Sequence, residues 1–215
     1  MNDKQLESII NLHRTTSKLK TMLRQGWLGW KVEDDRIESI AEHIFGTCML
    51  AISIYASEKM DLDISKVITM LVLHETEEII IGDLTPFDTE KLQTQKIDGR
   101  NAVLQIFKDF PNSQYFLDII EEFEQNETKE AKFALFCDKF ECDLQARLYE
   151  GKFHLDKVDK KIMTDPRTVA LVDKGFNTGS QIFLQHSKPR YQGIFLELAN
   201  KLEEMEEEEK QGVTK

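Results

Sequence analysis

Apolar residues recur every three or four positions along most of this chain, the spacing of helices that hide one face and wet the other. Segment 3–23 carries Leu6, Ile9, Ile10, Leu12, Leu19, Met22 and Leu23 at that interval and predicts a first helix. The run Arg24-Gln25-Gly26-Trp27-Leu28-Gly29-Trp30 breaks the pattern with two glycines, and a charged loop at 33–36 follows. Ser39, with Glu42 three positions on, has the form of a capping box and opens a helix to about Lys59. Another helix is expected from Ile64 to Ile81, stopped by Gly82. Pro86 biases Thr85 away from helix, so 82–86 reads as a loop. Further helical stretches fall at 89–109, 113–125, 128–150 and 167–186, punctuated by Pro111, Gly151 and Pro166. A last helix runs from near Arg190 to Leu202. The tail Glu203-Glu204-Met205-Glu206-Glu207-Glu208-Glu209 is like-charged and is expected to fray into solvent.

Four prolines and ten glycines in 215 residues are too few for the frequent turns of an all-β sandwich. With 40% hydrophobic residues, no internal repeat and no long linker, the expectation is a single all-α domain over 1–215. No uncharged apolar run reaches the length of a membrane span, and the start is polar rather than a signal peptide, so the protein is expected in the cytoplasm. Cys48, Cys137 and Cys142 are odd in number and lack metal-finger spacing, which fits free thiols in a reducing compartment. A net charge of −11 disfavours nucleic acid and anionic membrane as partners. A small anionic substrate stays open, because a metal and a few local cations can reverse the field within a pocket.

The pair His74-Glu75 ends the apolar run Ile68–Leu73, and Glu78 follows four positions after His74, on the same face if the helix continues. Charge in apolar surroundings is costly unless paired, and a divalent metal would offset that cost. Two more donors are available: His43, on the helix opened by Ser39, and Asp138, which shares an inward face with Ala131, Leu135 and Cys142. Imidazole and carboxylate together suit one divalent ion such as Mn, Co, Fe, Ni or Zn. Taken singly, each has a plainer reading. A histidine on an apolar face is more often a core histidine. Asp138 could pair with an arginine or cap a neighbouring helix. Glu75, Glu77 and Glu78 could be a solvated acidic face.

The strings Glu38-Ser39-Ile40-Ala41-Glu42-His43, His74-Glu75-Thr76-Glu77-Glu78 with Gly82-Asp83-Leu84-Thr85-Pro86, and Asp138-Lys139-Phe140-Glu141 jointly resemble the HD superfamily of metal-dependent phosphohydrolases. The similarity is greatest to its branch of small 5'-deoxynucleotidases and covers about Leu19 to Leu148; Arg24-Gln25-Gly26-Trp27, Glu130-Ala131-Lys132-Phe133 and Leu144-Gln145-Ala146 belong to it as well. On this reading a motif-bearing core of about 19–150 is followed by helices over 151–202 and the acidic tail 203–215.

The resemblance implies an HD-type helical bundle with one metal held by two His and two Asp. It maps those ligands onto His43, His74, Glu75 and Asp138. Glu75 departs from the pattern, which has Asp there, and its extra methylene must be accommodated; a misplacement of about 1 Å can cost roughly 100-fold in rate. By the same resemblance Arg24 grips phosphate, Glu78 orients or deprotonates a water, and Asp83 binds the sugar or assists the leaving oxygen. Thr85 and Pro86 shape the sugar pocket. Trp27 either packs on the sugar or base or fills core. The implied reaction converts a nucleoside 5'-monophosphate, deoxy by preference, to nucleoside and phosphate. Two alternatives remain: another phosphate ester or a nucleotide second messenger, or an HD domain that binds metal or nucleotide without turnover. The resemblance also implies a homodimer, for which Phe176, Ile182, Phe183 and Leu184 are candidates if they are not core.

Overall fold

The computed structural model describes residues 1–210 and Gly212, with side chains for all of these except 89–92 and 210. Among the described residues the chain is helical without a strand. In order, α1 is Asp3–Thr16, followed by a 3-10 turn at Ser17–Lys20, then α2 Gln25–Gly29, α3 Ile40–Ser57, α4 Ile64–Leu73, α5 Glu78–Ile81, α6 Thr89–Phe107 and α7 Ser113–Gln125. After these come α8 Lys129–Leu148, α9 Lys160–Met163, α10 Pro166–Asp173, α11 Gly179–Ser187, a 3-10 turn at Lys188–Arg190, and α12 Ile194–Lys210.

Local chemistry sets many of the starts. Ser39 and Glu42 make the reciprocal capping box expected for α3. The side chains of Asp63 and Thr128 accept backbone N–H groups at the starts of α4 and α8. Asn126, in the left-handed region at φ 52°, stops α7. An isolated antiparallel bridge joins Leu23 to Ser39. Its bonds, Arg24 N to Glu38 O at 3.0 Å and Ile40 N to Met22 O at 2.9 Å, tie Arg24 to the start of α3.

Helix α8 is the central element, packed by α3, α4, α7, α11 and α12. Its inward residues Ala131, Phe133, Ala134, Cys137 and Phe140 join a core with Ala51, Val67, Met70, Leu71 and Phe195. Its last turn belongs to a second core, where Ala146 and Tyr149 meet Trp27, Trp30, Val158, Ile162 and Ile182. Helix α3 is long and apolar enough to cross a membrane, with a mean hydropathy of 1.3, yet it packs on α4 and α8 through a face that buries His43, Thr47, Ala51 and Ile54.

Four sequence expectations need correction. Helix α1 stops at Thr16 and the chain tightens into the 3-10 turn, so 3–23 is not one helix. The expected helix 64–81 is broken at 74–77. The stretch 167–186 is two helices, because Gly175 turns the chain at φ 94°. The acidic tail does not fray: it is the last part of α12. Glu206 is buried, Glu203 pairs with Lys188 and Gln185, and Arg147 on α8 pairs with Glu209. Cations from neighbouring elements thus relieve the like-charge repulsion along that helix. The apolar residues considered for a dimer contact are largely interior. Ile182 and Leu184 are buried, and Phe176 and Phe183 pack on the second core.

Two stability measurements follow from this packing. Phe140 is 2% exposed and lies edge-on to Tyr191 at 5.6 Å. Phe140→Ala should lower the unfolding free energy by about 3–5 kcal/mol, read from a shift in urea midpoint at constant slope. Truncation after Leu202 should lower Tm by several degrees; an unchanged Tm would mean that the acidic end of α12 contributes nothing.

Candidate metal centre

Three pieces of chain converge on one buried spot. His43 lies in the first turns of α3, positioned by the Ser39 cap. Asp138 lies mid-way along α8. The third piece is the turn after α4. Adjacent residues on a helix point about 100° apart, so His74 and Glu75 reach toward the site from different directions. Here α4 ends at Leu73 and His74 is its cap residue. The His74 Nδ1–H donates to the Leu71 carbonyl at 2.7 Å, and Thr76 N–H donates to Leu73 O at 3.0 Å. These bonds satisfy carbonyls at the end of α4 and hold the turn that carries His74 and Glu75.

His43, His74, Glu75 and Asp138 each offer one donor atom, and the four atoms lie within 4.8 Å of one another. His43 Nε2 is 3.1 Å from Asp138 Oδ1 and 3.6 Å from Glu75 Oε1. His74 Nε2 is 3.5 Å from Glu75 Oε1 and 3.7 Å from Asp138 Oδ1. His74 Nε2 is buried and makes no hydrogen bond, although it faces two carboxylate oxygens. Donors held about 2.1 Å from a common ion are separated by roughly 3.0–3.4 Å from their neighbours. An orphaned imidazole nitrogen among oxygens at near that spacing fits a divalent cation. A second grouping, His43 with Glu141 and Cys142, is explained without an ion, because His43 Nδ1 and Glu141 Oε2 are already hydrogen-bonded at 2.6 Å.

Two cations flank the cluster. Arg24 Nη1 lies 2.8 Å from Glu75 Oε1, the same oxygen that faces both imidazoles. Lys139 Nζ lies 2.8 Å from Asp138 Oδ2. Burial would lift Glu75, but His74, Arg24 and His43 hold it down to about 2. Burial likewise works against ionised Asp138, and Lys139 with the two histidines keeps it well below the usual range. Burial and Arg24 oppose a proton on His43, yet hydrogen bonds to Asp138 and Glu141 raise it to about 9. Glu78 is 6% exposed; burial, then Glu75 and Asp83, push its carboxyl up to about 11, and its Oε2 has no partner.

The other candidate residues fall in distinct places. Asp83 Oδ2 accepts the Gln25 N–H at 2.6 Å, which fixes the segment beside Arg24. A cleft of about 250 Å³ opens there, lined in part by Gln25, Leu28, Asp83, Thr85 and Lys161. Thr85 is buried and its hydroxyl donates to Asp88 at 2.7 Å, while Pro86 is exposed. Trp27 is core rather than a platform for a sugar or base. It is 2% exposed, its ring lies 4.9 Å from Phe183, and its Nε1–H donates to Glu38 at 2.7 Å. Sequence reasoning gave no role to Lys139 and Glu141. The available signal was position: they lie one and three residues after Asp138, and the i, i+3 pair shares a helix face.

These charges give the metal-free protein a defined pH response. His43, raised from 6.5 to about 9, and Glu78, raised from 4.5 to about 11, contribute stability that is present at low pH and lost as pH rises through their folded values. Glu75, lowered from 4.5 to about 2, contributes stability present above 4.5 and lost as pH falls through 2. Chelator-stripped protein should therefore lose Tm between pH 6.5 and 9, and added zinc or manganese should remove most of that decline. A flat profile in stripped protein would contradict the electrostatics. His74→Ala should abolish stoichiometric metal while leaving the fold; retained metal would contradict the site.

Comparison with known proteins agrees with the fold. The HD domain family matches residues 16–173. The 5'-deoxynucleotidase HDDC2 of Dictyostelium discoideum is 30% identical over 160 residues, covering 69% of this chain and 81% of the relative. The human HDDC2 is 28% identical over 149 residues, covering 68% and 71%, and the 5'-deoxynucleotidase hdd1 of Schizosaccharomyces pombe is 28% identical over 163 residues, covering 73% and 80%. Among solved structures, a protein of Pyrococcus horikoshii OT3 superposes with TM-score 0.55 at 22% identity, over 91% of this chain and 98% of its own. A predicted metal-dependent phosphohydrolase of Magnetospirillum magnetotacticum MS-1 superposes with TM-score 0.58 at 22% identity, over 80% and 93%. At those identities the two structures speak for the helical fold alone. With the family matched over most of its length, the chain belongs to the HD-domain family.

Proposed function

We propose that this protein is a metal-dependent phosphohydrolase that cleaves deoxynucleoside 5'-monophosphates to nucleoside and phosphate. The observation that carries the reading is the buried quartet His43, His74, Glu75 and Asp138, with an unpartnered His74 Nε2 and Arg24 alongside. The names of the relatives supply the substrate class. The quartet would hold one divalent ion of the Mn, Co, Fe, Ni or Zn type, which when bound supplies Lewis-acid activation of water and phosphate oxygen.

The protein's own groups do the rest. Arg24 can present two N–H donors to phosphate oxygens, and with Lys139 it offsets the two carboxylates of the quartet. The charge of a bound divalent ion would then remain to attract the substrate dianion on a protein of net charge −11. Glu78 exchanges the proton of the attacking water through Oε2, an atom with no other partner. Asp83 lines the cleft and holds Gln25, the residue after Arg24, and there it would bind the sugar or assist the leaving oxygen. Thr85 contributes to the cleft lining, and the exposed Pro86 follows it in the chain. Trp27 acts indirectly, by holding Glu38 and the segment that carries Arg24. The acidic surface fits a small nucleotide substrate in the cytoplasm, with neither nucleic acid nor membrane as partner.

A second reading has its own observation. Glu75 Oε1 is shared between Arg24 and the imidazoles, so Arg24 and a metal compete for the same oxygen. This favours weak metal binding, or an HD domain that binds without turning over. Glu75→Asp draws the carboxylate back by one methylene and discriminates. A large gain in turnover identifies a degenerate site; a loss identifies a pocket adapted to glutamate.

The direct test is phosphate release from a panel of deoxy- and ribonucleoside 5'-monophosphates, using stripped protein resupplied with Mn, Co, Ni, Zn or Mg. Metal-restored hydrolysis of deoxynucleotides is expected. Silence across the panel with metal bound would overturn the substrate class and point to another phosphate ester or a second messenger. Arg24→Ala should raise KM for nucleotide more than it weakens metal binding; equal losses in both would make Arg24 structural.

A further inference from the structure

We infer that Glu141 is a positioning residue for the metal centre: it holds the Nδ1–H of His43 and so aims Nε2 at the ligand cluster, with Gly46 providing the space for its carboxylate. The inference rests on the metal-site part of the proposed function.

The geometry is closed on both sides of the ring. His43 is fully buried, Glu141 is 7% exposed, and His43 Nδ1 is 2.6 Å from Glu141 Oε2. On the other side, Nε2 is 3.1 Å from Asp138 Oδ1. Asp138 and Glu141 are one turn apart on α8, so a single helix supplies both a metal ligand and the support of a second ligand. The matching position on α3 is Gly46, one turn after His43. A Cβ there would lie 2.9 Å from Glu141 Cδ, closer than real contacts allow. An alanine at 46 would therefore displace the Glu141 carboxylate from the place where it meets His43, and the three atoms nearest to that Cβ all belong to Glu141.

The two histidines are supported differently. His74 Nδ1 donates to the neutral Leu71 carbonyl at 2.7 Å. His43 Nδ1 meets a charged carboxylate in a buried setting. A carboxylate acceptor fixes which nitrogen carries the proton and makes the other nitrogen a stronger donor to a metal. A buried carboxylate without a partner would be costly, so Glu141 is stabilised by the ring that it orients. A purely structural ion pair would stabilise the α3–α8 contact but leave metal affinity per folded molecule unchanged.

The test uses zinc and the full chain. Stripped wild type, Glu141→Ala, Glu141→Gln and Gly46→Ala are titrated with zinc against a competing chelator, with Tm recorded for each. Glu141→Ala and Gly46→Ala should bind zinc about 10–100-fold more weakly. Glu141→Gln keeps an oxygen that can accept the Nδ1–H and should recover most of the affinity. Unchanged zinc affinity in folded Glu141→Ala would overturn the inference, as would equal loss in the Ala and Gln variants. Should the variants fail to fold, the zinc-loaded wild type still decides by nitrogen-resolved NMR of its histidines. A protected, downfield Nδ1 proton on His43 is expected, and a ring carrying its proton on Nε2 overturns it. Wild type that binds no zinc would instead sink the metal-site reading itself.

Discussion

The imidazole of His43, gripped on both edges by carboxylates of α8, is the contact on which the rest depends. Asp138 takes one nitrogen and Glu141 the other, at 3.1 and 2.6 Å, in a spot with no solvent exposure at the ring. An all-apolar seam between α3 and α8 would be simpler and more stable. Burying two acids and an imidazole there costs desolvation, and breaking such a group is worse than never building it. The surrounding structure answers that cost locally. Arg24 is carried to Glu75 by the bridge between Leu23 and Ser39, and Lys139 reaches the outer oxygen of Asp138.

The break after α4 is the second constraint. The chain leaves regular helix after Leu73, and His74 and Glu75 lie on the turn that follows. The turn is held by its own bonds, chiefly His74 Nδ1–H to Leu71 O, which leaves the other nitrogen of that ring with nothing to bind. Unsatisfied buried polar atoms are rare in proteins, and one that faces two carboxylates marks a place where a cation belongs. Glu78 carries a second orphaned atom in the same region. Stability is given up here in the form of unpartnered groups, and the two apolar cores on either side of the site hold it in shape.

Glu75 ties the cluster to its flanking cation. The longer side chain reaches the guanidinium of Arg24 with the oxygen that also faces the histidines. Arg24, Glu75 and the two histidines thus form one coupled unit, in which a change to any member alters the charge felt by the others. The acidic surface elsewhere is a separate matter, and its largest acidic run folds as helix because Arg147 and Lys188 face it.

The helical class, the Ser39 cap and the residues of the candidate site were legible in the sequence, because apolar period, capping chemistry and motif spacing are local properties. His43, His74, Glu75 and Asp138 could be proposed from residue type and inward position, and the family resemblance weighed against the plainer reading of each. Helix ends were less legible: nothing local marks the stop at Leu73. Trp27 could not be assigned, since a tryptophan suits a ligand face and a core equally, and only its packing on Phe183 and its bond to Glu38 decided. The acidic end of α12 read as solvated because the cations that face it are distant in sequence. Glu141 and Gly46 lie 95 residues apart. One is an ordinary acid and the other an ordinary glycine until α3 and α8 close, and only then does the missing Cβ make room for the carboxylate that sets the ring of His43.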